Sequence, residues 1–249
     1  MTPMTPDDPA LPLRERKKLR TRQALIDTAL ELFGERGFDR VTLDQLCEAV
    51  EVSKRTFFRA FSSKEDVAAA PTQDLWTAFL EVLEDRPPQG RPLVSLYEEV
   101  LVEAIDRMSS PGWAERALAS RKLAAVTPSM DAHGLAFCGR VSREAAAVTE
   151  RRFTLDTAEE GVAALRIRLA LDMLVSAFHQ ALAAWVAQPS GHTREDLARR
   201  LRAACAELPG TLATTAQPRG EETVQAPVSR TTTVGDERTA LGGLLPRNA

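Results

Sequence analysis

The chain predicts an all-α fold, and three observations lead there. Apolar residues recur three and four positions apart over long runs, as in Leu25, Ile26, Ala29, Leu30 and Phe33, and again in Leu96, Tyr97, Val100, Leu101 and Ile105. No stretch alternates with the period of two that a strand requires. Helix starts (Ser, Thr and Pro) and helix stops (Gly and Pro) fall between the periodic runs. The expected architecture is an N-terminal three-helix head bearing a helix-turn-helix, carried on a C-terminal helical bundle.

A length of 249 residues allows one large or two small domains, and an apolar content of 44% is ordinary for a folded chain. The net charge of -3 is unevenly spread. Arg14 to Lys64 holds twelve Lys/Arg against eight Asp/Glu, whereas Glu65 to Leu208 holds sixteen against twenty-one. A basic end on an acidic body aims one end at phosphate and keeps the rest away from it. The expected boundaries are a disordered arm over 1–13, a head over 14–70 with its motif at about 42–61, a helical body over 71–208 and a disordered tail over 209–249.

The arm is proline-rich and has little to bury. Arg14, Arg16, Lys17, Lys18, Arg20 and Arg22 follow with one acid, Glu15. Ahead of a helix-turn-helix, such a cluster is expected at phosphate or in a minor groove. The first amphipathic helix then runs through Leu25–Phe33, with Gly37 as a left-handed cap that folds Phe38 back onto it. Thr42 and Gln45 form a capping box, with Val41 and Leu46 as its hydrophobic staple, so a helix starts at Leu43. Ser53 caps the next helix, leaving only Glu51 and Val52 for the turn. Two short helices so tightly joined cross at a large angle. The second presents Lys54, Arg55 and Arg59 outward, while Phe57 and Phe61 anchor it inward. A cationic helix on an apolar anchor suits a DNA major groove. The bland alternative is a solvated helical hairpin. Phe33, Phe38, Leu43, Leu46, Val52, Phe57 and Phe61 are the expected head core.

In the spacing of Thr42, Val52-Ser53, Thr56, Phe61 and Lys64, the stretch from about Arg16 to Val67 resembles the TetR-type transcriptional regulators. The resemblance implies a dimeric DNA-binding protein, usually a repressor released by a small ligand; a cytoplasmic home is expected separately, from the cysteine usage and the want of a signal-peptide pattern. With the Ser53 helix in the major groove, Thr42, Ser53 and Lys64 are expected at phosphate, Lys54, Arg55 and Arg59 at base edges, and Thr56 and Phe58 at apolar or sugar contacts. Two positions depart from the pattern. The turn carries Val50-Glu51 where Ala-Gly is usual, and a left-handed glutamate costs roughly 1 kcal/mol. Phe58 replaces a frequent tyrosine, removing a hydroxyl that would face phosphate.

Lys64 starts a linking helix whose N-terminus offers free amides to a phosphate. Pro71 predicts a kink or break near Ala70. Amphipathic runs follow over Leu93–Met108 and Trp113–Val126, then a helix from Thr127-Pro128 to about Phe153. The longest apolar segment runs from Asp156 to about Gln188. It is long enough to span a bilayer, but Arg166, Arg168, Asp172, His179 and Gln180 argue against that. A helix apolar on nearly every side needs cover on nearly every side, and a second copy of the chain supplies it. The dimer seam is therefore expected at 156–188 and 193–207. Trp113, His133, Phe137, Asp172 and His179 are candidates for an apolar effector pocket; for the histidines the competing reading is structural.

No Walker loop, GxGxxG, HExxH or GxSxG is present, and three scattered histidines offer no catalytic constellation, so no enzyme, metal or cofactor is expected. Cys47, Cys138 and Cys205 lack metal-binding spacing. The rival readings are a ligand-independent activator or architectural DNA binder, and a helical small-molecule carrier whose basic end is incidental.

Overall fold

The structure, a computed structural model, describes residues 12–87, 90–157 and 161–216. The arm over 1–11 and most of the tail, from 217 onward, lie outside them. Ten α-helices form among the described residues: α1 (Leu13–Arg36), α2 (Leu43–Ala49), α3 (Lys54–Phe58), α4 (Lys64–Asp85), α5 (Leu93–Arg107), α6 (Trp113–Ala124), α7 (Pro128–Arg152), α8 (Val162–Ala187), α9 (Arg194–Ala206) and α10 (Leu208–Ala213). They contain no strand. All ten belong to one unit ending at Ala213; of a second, from Thr214 to Ala249, only 214–216 is described.

Local signals account for most helix ends. Thr42 accepts from the Gln45 amide at 3.2 Å while Gln45 Oε1 accepts from the Thr42 amide at 2.9 Å, the reciprocal pair of a capping box. Ser53 and Thr193 cap α3 and α9, accepting from the Thr56 and Asp196 amides. Pro128 occupies the first turn of α7, although the Thr127 side chain makes no cap bond. Gly37 has a positive φ of 87°, but its ψ of 143° lies outside the left-handed helical well that the sequence suggested. The chain goes straight into a 3-10 turn, Phe38–Arg40, and the Phe38 ring still folds back to 4.9 Å from Phe33.

Of the kink or break expected near Ala70, the break does not occur; one helix runs through Pro71 from Lys64 to Asp85. Packing explains this. Val67, Ala68, Ala70, Pro71 and Leu75 are all buried, and the Trp113 indole N–H donates to the Pro71 carbonyl at 3.0 Å. Tertiary burial outweighs one missing amide. Leu208–Ala213 is a short helix where a disordered tail was expected, with Pro209 in its first turn and no buried residue.

Two apolar cores lie along α4. The first joins α1, α2, α3 and α4 as far as Ala70, with Leu123 of α6 and Met130 of α7 completing it. Of its expected members, Phe33, Phe38, Leu46, Phe57 and Phe61 are buried, and Leu43 and Val52 are partly so. The second begins at Leu75 and joins α4 through α9. α8 buries Ile167, Leu171, Leu174, Phe178 and Trp185 in it but leaves Leu165 and Leu169 about half exposed on its outer face.

Candidate nucleic-acid interface and effector cavity

The α2–α3 turn is a Schellman motif built on a residue that resists it. The Val52 amide donates to the Cys47 carbonyl at 2.9 Å and the Glu51 amide to the Glu48 carbonyl at 3.0 Å. Such a closure requires a left-handed residue at its penultimate position, and Glu51 supplies it with a φ of 55°, the sole positive φ outside glycine among the described residues. The sharp crossing survives without glycine because Val41, Leu46 and Phe57 are fully buried beneath it.

On that base α3 is anchored by Phe57, whose ring lies 5.7 Å from Phe61. Ser53, Lys54, Arg55, Phe58 and Arg59 are exposed and Thr56 is half-buried; Phe58 reaches 57% exposure against the edge of Phe57. Lys54 is paired with Asp44 of α2 at 2.7 Å, and that hydrogen bond holds its ammonium pKa above the usual lysine value. Arg55 and Arg59 have no ion-pair partner among the described residues. Along α1, Arg14, Lys17, Lys18 and Arg20 are exposed, and Arg16 is half-buried with an unpartnered Nε. Arg22 is used internally. It forms a two-pronged bond to Asp74 of α4 at 2.9 and 2.8 Å and lies 5.1 Å from the Phe61 ring.

Lys64, expected at phosphate, is engaged inside the head in this structure. Its ammonium donates to the Phe38 and Val41 carbonyls at 2.8 and 2.7 Å and lies 4.5 Å over the Phe38 ring and 5.6 Å over Phe33. Its donors are directed at the head's own backbone. The start of α4 is likewise occupied by its own side chains: Ser63 accepts from the Asp66 amide, and the Asp66 carboxylate accepts from both the amide and the hydroxyl of Ser62. One of the amides expected to be open to a phosphate there, that of Asp66, is therefore already capped.

Behind the head, α4, α6, α7 and α8 border a half-open cavity of about 410 Å³. Trp76, Met130, Phe137 and Phe178 give it apolar walls, and Gln73, Ser120, Arg121, Asp131, His179 and Gln180 add polar groups. Of the five candidates, only Phe137 and His179 line it. Trp113 is buried in the body core with its N–H spent on Pro71, and Asp172 is exposed elsewhere on α8. His133 stands between cavity and head, its Nε2 2.9 Å from the Gln73 side chain and 3.7 Å from Asp66 at the start of α4. Trp76, Arg121 and Asp131 were missed because cavity membership depends on how four helices pack, and spacing within one helix does not carry that. Partial desolvation, helped by the Arg121 charge and opposed by Asp131, lowers the His179 pKa. Burial raises the Cys138 thiol beside it.

Comparison with known proteins bears on the head above all. Residues 25–70 match the family model described as bacterial regulatory proteins, tetR family. Over 95 residues the chain is 50% identical to the HTH-type transcriptional regulator TcmR of Streptomyces glaucescens, a stretch covering 38% of this chain and 41% of that protein. A 77-residue stretch is 25% identical to the biofilm operon icaADBC HTH-type negative transcriptional regulator IcaR of Staphylococcus epidermidis, covering 31% and 42%. The chain thus spans less than half the length of these curated relatives. Among solved structures, a transcriptional regulator from Aquifex aeolicus VF5 aligns at 13% identity and a TM-score of 0.46, covering 75% of this chain and 98% of that one.

Proposed function

We propose that this chain, a tetR-family protein by its N-terminal head, is a homodimeric transcriptional repressor that binds a palindromic DNA operator in the cytoplasm and is released by a small effector. The observation that carries the reading is the outward face of α3. A short helix, capped at Ser53 and seated on a fully buried Phe57, holds Arg55, Phe58 and Arg59 clear of the body. A helix so placed fits the major groove, with Arg55 and Arg59 at base edges and the exposed α1 cations at flanking phosphate. Ser53, Thr42 and Thr56 add hydroxyls at the rim, and Lys54 reaches DNA by exchanging Asp44 for a phosphate or base.

The outer face of α8, with Leu165 and Leu169 uncovered, supports pairing of α8 and α9 with their twofold copies. Two heads would then meet half-sites about one helical turn apart, ~34–36 Å, or somewhat more. An effector in the cavity favours one spacing of the heads, and release follows if that spacing misfits the operator. α4 suits this coupling because it lines the cavity at Trp76 and holds the head at Lys64 and Asp74. The test is to select genomic duplexes with the purified chain and sequence them. A palindrome bound by two chains is expected. Unselective recovery, or recovery that ignores salt, would refute the reading.

A further inference from the structure

We propose that the effector is a flat aromatic molecule carrying an anionic group, recognised by the Arg121 guanidinium of α6; this rests on the reading of the α4/α6/α7/α8 cavity as the effector site. The apolar side comes from three helices, with Trp76 of α4, Phe137 of α7 and Phe178 of α8 around one space. Trp76 and Phe178 lie 5.3 Å apart and nearly perpendicular as an almost fully buried floor beneath the cavity, and the half-buried Phe137 is the ring that keeps open surface. A space of about 410 Å³ falls in the range of small-molecule sites.

The charged side comes from one arginine whose setting differs from that of other partly shielded arginines in the chain. Arg22, Arg86, Arg107 and Arg200 are partly shielded arginines, and each holds a carboxylate. Arg121 is half-buried on the cavity wall, and among the described residues it has no such partner. Its charge is felt by two other cavity residues, His179 and Cys138. The one carboxylate on the wall, Asp131, is exposed and does not reach it within ion-pair distance. A guanidinium left unpaired beside aromatic walls is a site for a planar acid, since its fork binds carboxylate, sulfonate or phenolate oxygens with direction as well as charge.

Two fluorescent probes that differ mainly in charge test this on the full chain: 1-anilinonaphthalene-8-sulfonate and the neutral N-phenyl-1-naphthylamine. Each has roughly twenty non-hydrogen atoms, a size that a cavity in this range accepts. The sulfonate is expected to bind about ten-fold more tightly. Arg121→Gln should abolish that preference without weakening the neutral probe, Arg121→Lys should keep most of it, and unchanged thermal melts verify folding. Gly134→Leu localises the site: Gly134 lines the cavity, and no atom stands within 4 Å of a Cβ added there. It should weaken both probes. Equal affinities in the parent chain, or a preference that survives Arg121→Gln, would overturn the assignment of the anion to Arg121 while leaving the cavity as effector site. Failure of both probes to bind, or indifference to Gly134→Leu, would overturn the cavity reading as well.

Discussion

Replacing Lys64 by methionine separates the two roles available to this side chain. The substitution keeps most of the aliphatic length and removes the ammonium. In the structure that ammonium satisfies two backbone carbonyls, of Phe38 and Val41, and covers the Phe38 ring. Hydrogen bonds from a charged donor contribute about 1.5–3 kcal/mol, and a cation over a ring about 0.5–1 kcal/mol. Because Lys64 is only half-buried, water can reach part of the vacated site, and the expected loss is about 2–3 kcal/mol. For a chain of this size that lowers the melting temperature by roughly 5–10 °C, read by circular dichroism. DNA binding supplies the second readout. A phosphate-contacting lysine contributes about one unit to the slope of log K against log salt. Below its melting temperature, Lys64→Met should keep the parent slope. A melting temperature within 1 °C of the parent, with a slope reduced by about one, would refute the clamp and restore the phosphate role.

Other outcomes follow from the same geometry. Glu51→Gly should raise stability by about 0.5–1 kcal/mol, because glycine takes the positive φ of the Schellman turn without steric cost; a loss in the urea midpoint would contradict the strained turn. Arg55→Ala should change sequence preference, costing ~1–3 kcal/mol at one base pair, whereas Lys17→Ala should weaken every duplex alike and reduce the salt slope by about one; competition with scrambled duplexes checks both. His179 makes stability depend on pH. Its pKa is lowered in the folded chain, so as pH falls through the ordinary histidine value of 6.5 the unfolded chain gains the proton first and the folded state loses stability. Urea midpoints at pH 7.5 and 5.5 should therefore diverge less in His179→Gln than in the parent. Equal divergence would contradict that environment.

What was legible in the sequence was whatever depends on neighbours a few residues away. The capping box at Thr42, the cap at Ser53, the proline at the start of α7 and the anchoring of α3 by Phe57 all follow from spacing within one turn or two. What was illegible depends on distant chain segments. Nothing near Lys64 reveals that its donors meet carbonyls 26 and 23 positions earlier. Pro71 reads as a breaker until Trp113, 42 positions later, is seen bonded to its carbonyl. The cavity exchanged three of its five candidates for the same reason. Trp113 and Trp76 are both buried in the body core, and only packing decides that the second also borders the cavity.

The account stands most directly on one measurement: sedimentation of the purified chain with its selected duplex and with a scrambled one, across a salt series. The expected result is two chains on the selected duplex, tighter than on the scrambled one, with affinity for both falling steeply as salt rises. One chain per duplex, or equal and salt-indifferent binding to both, would contradict it.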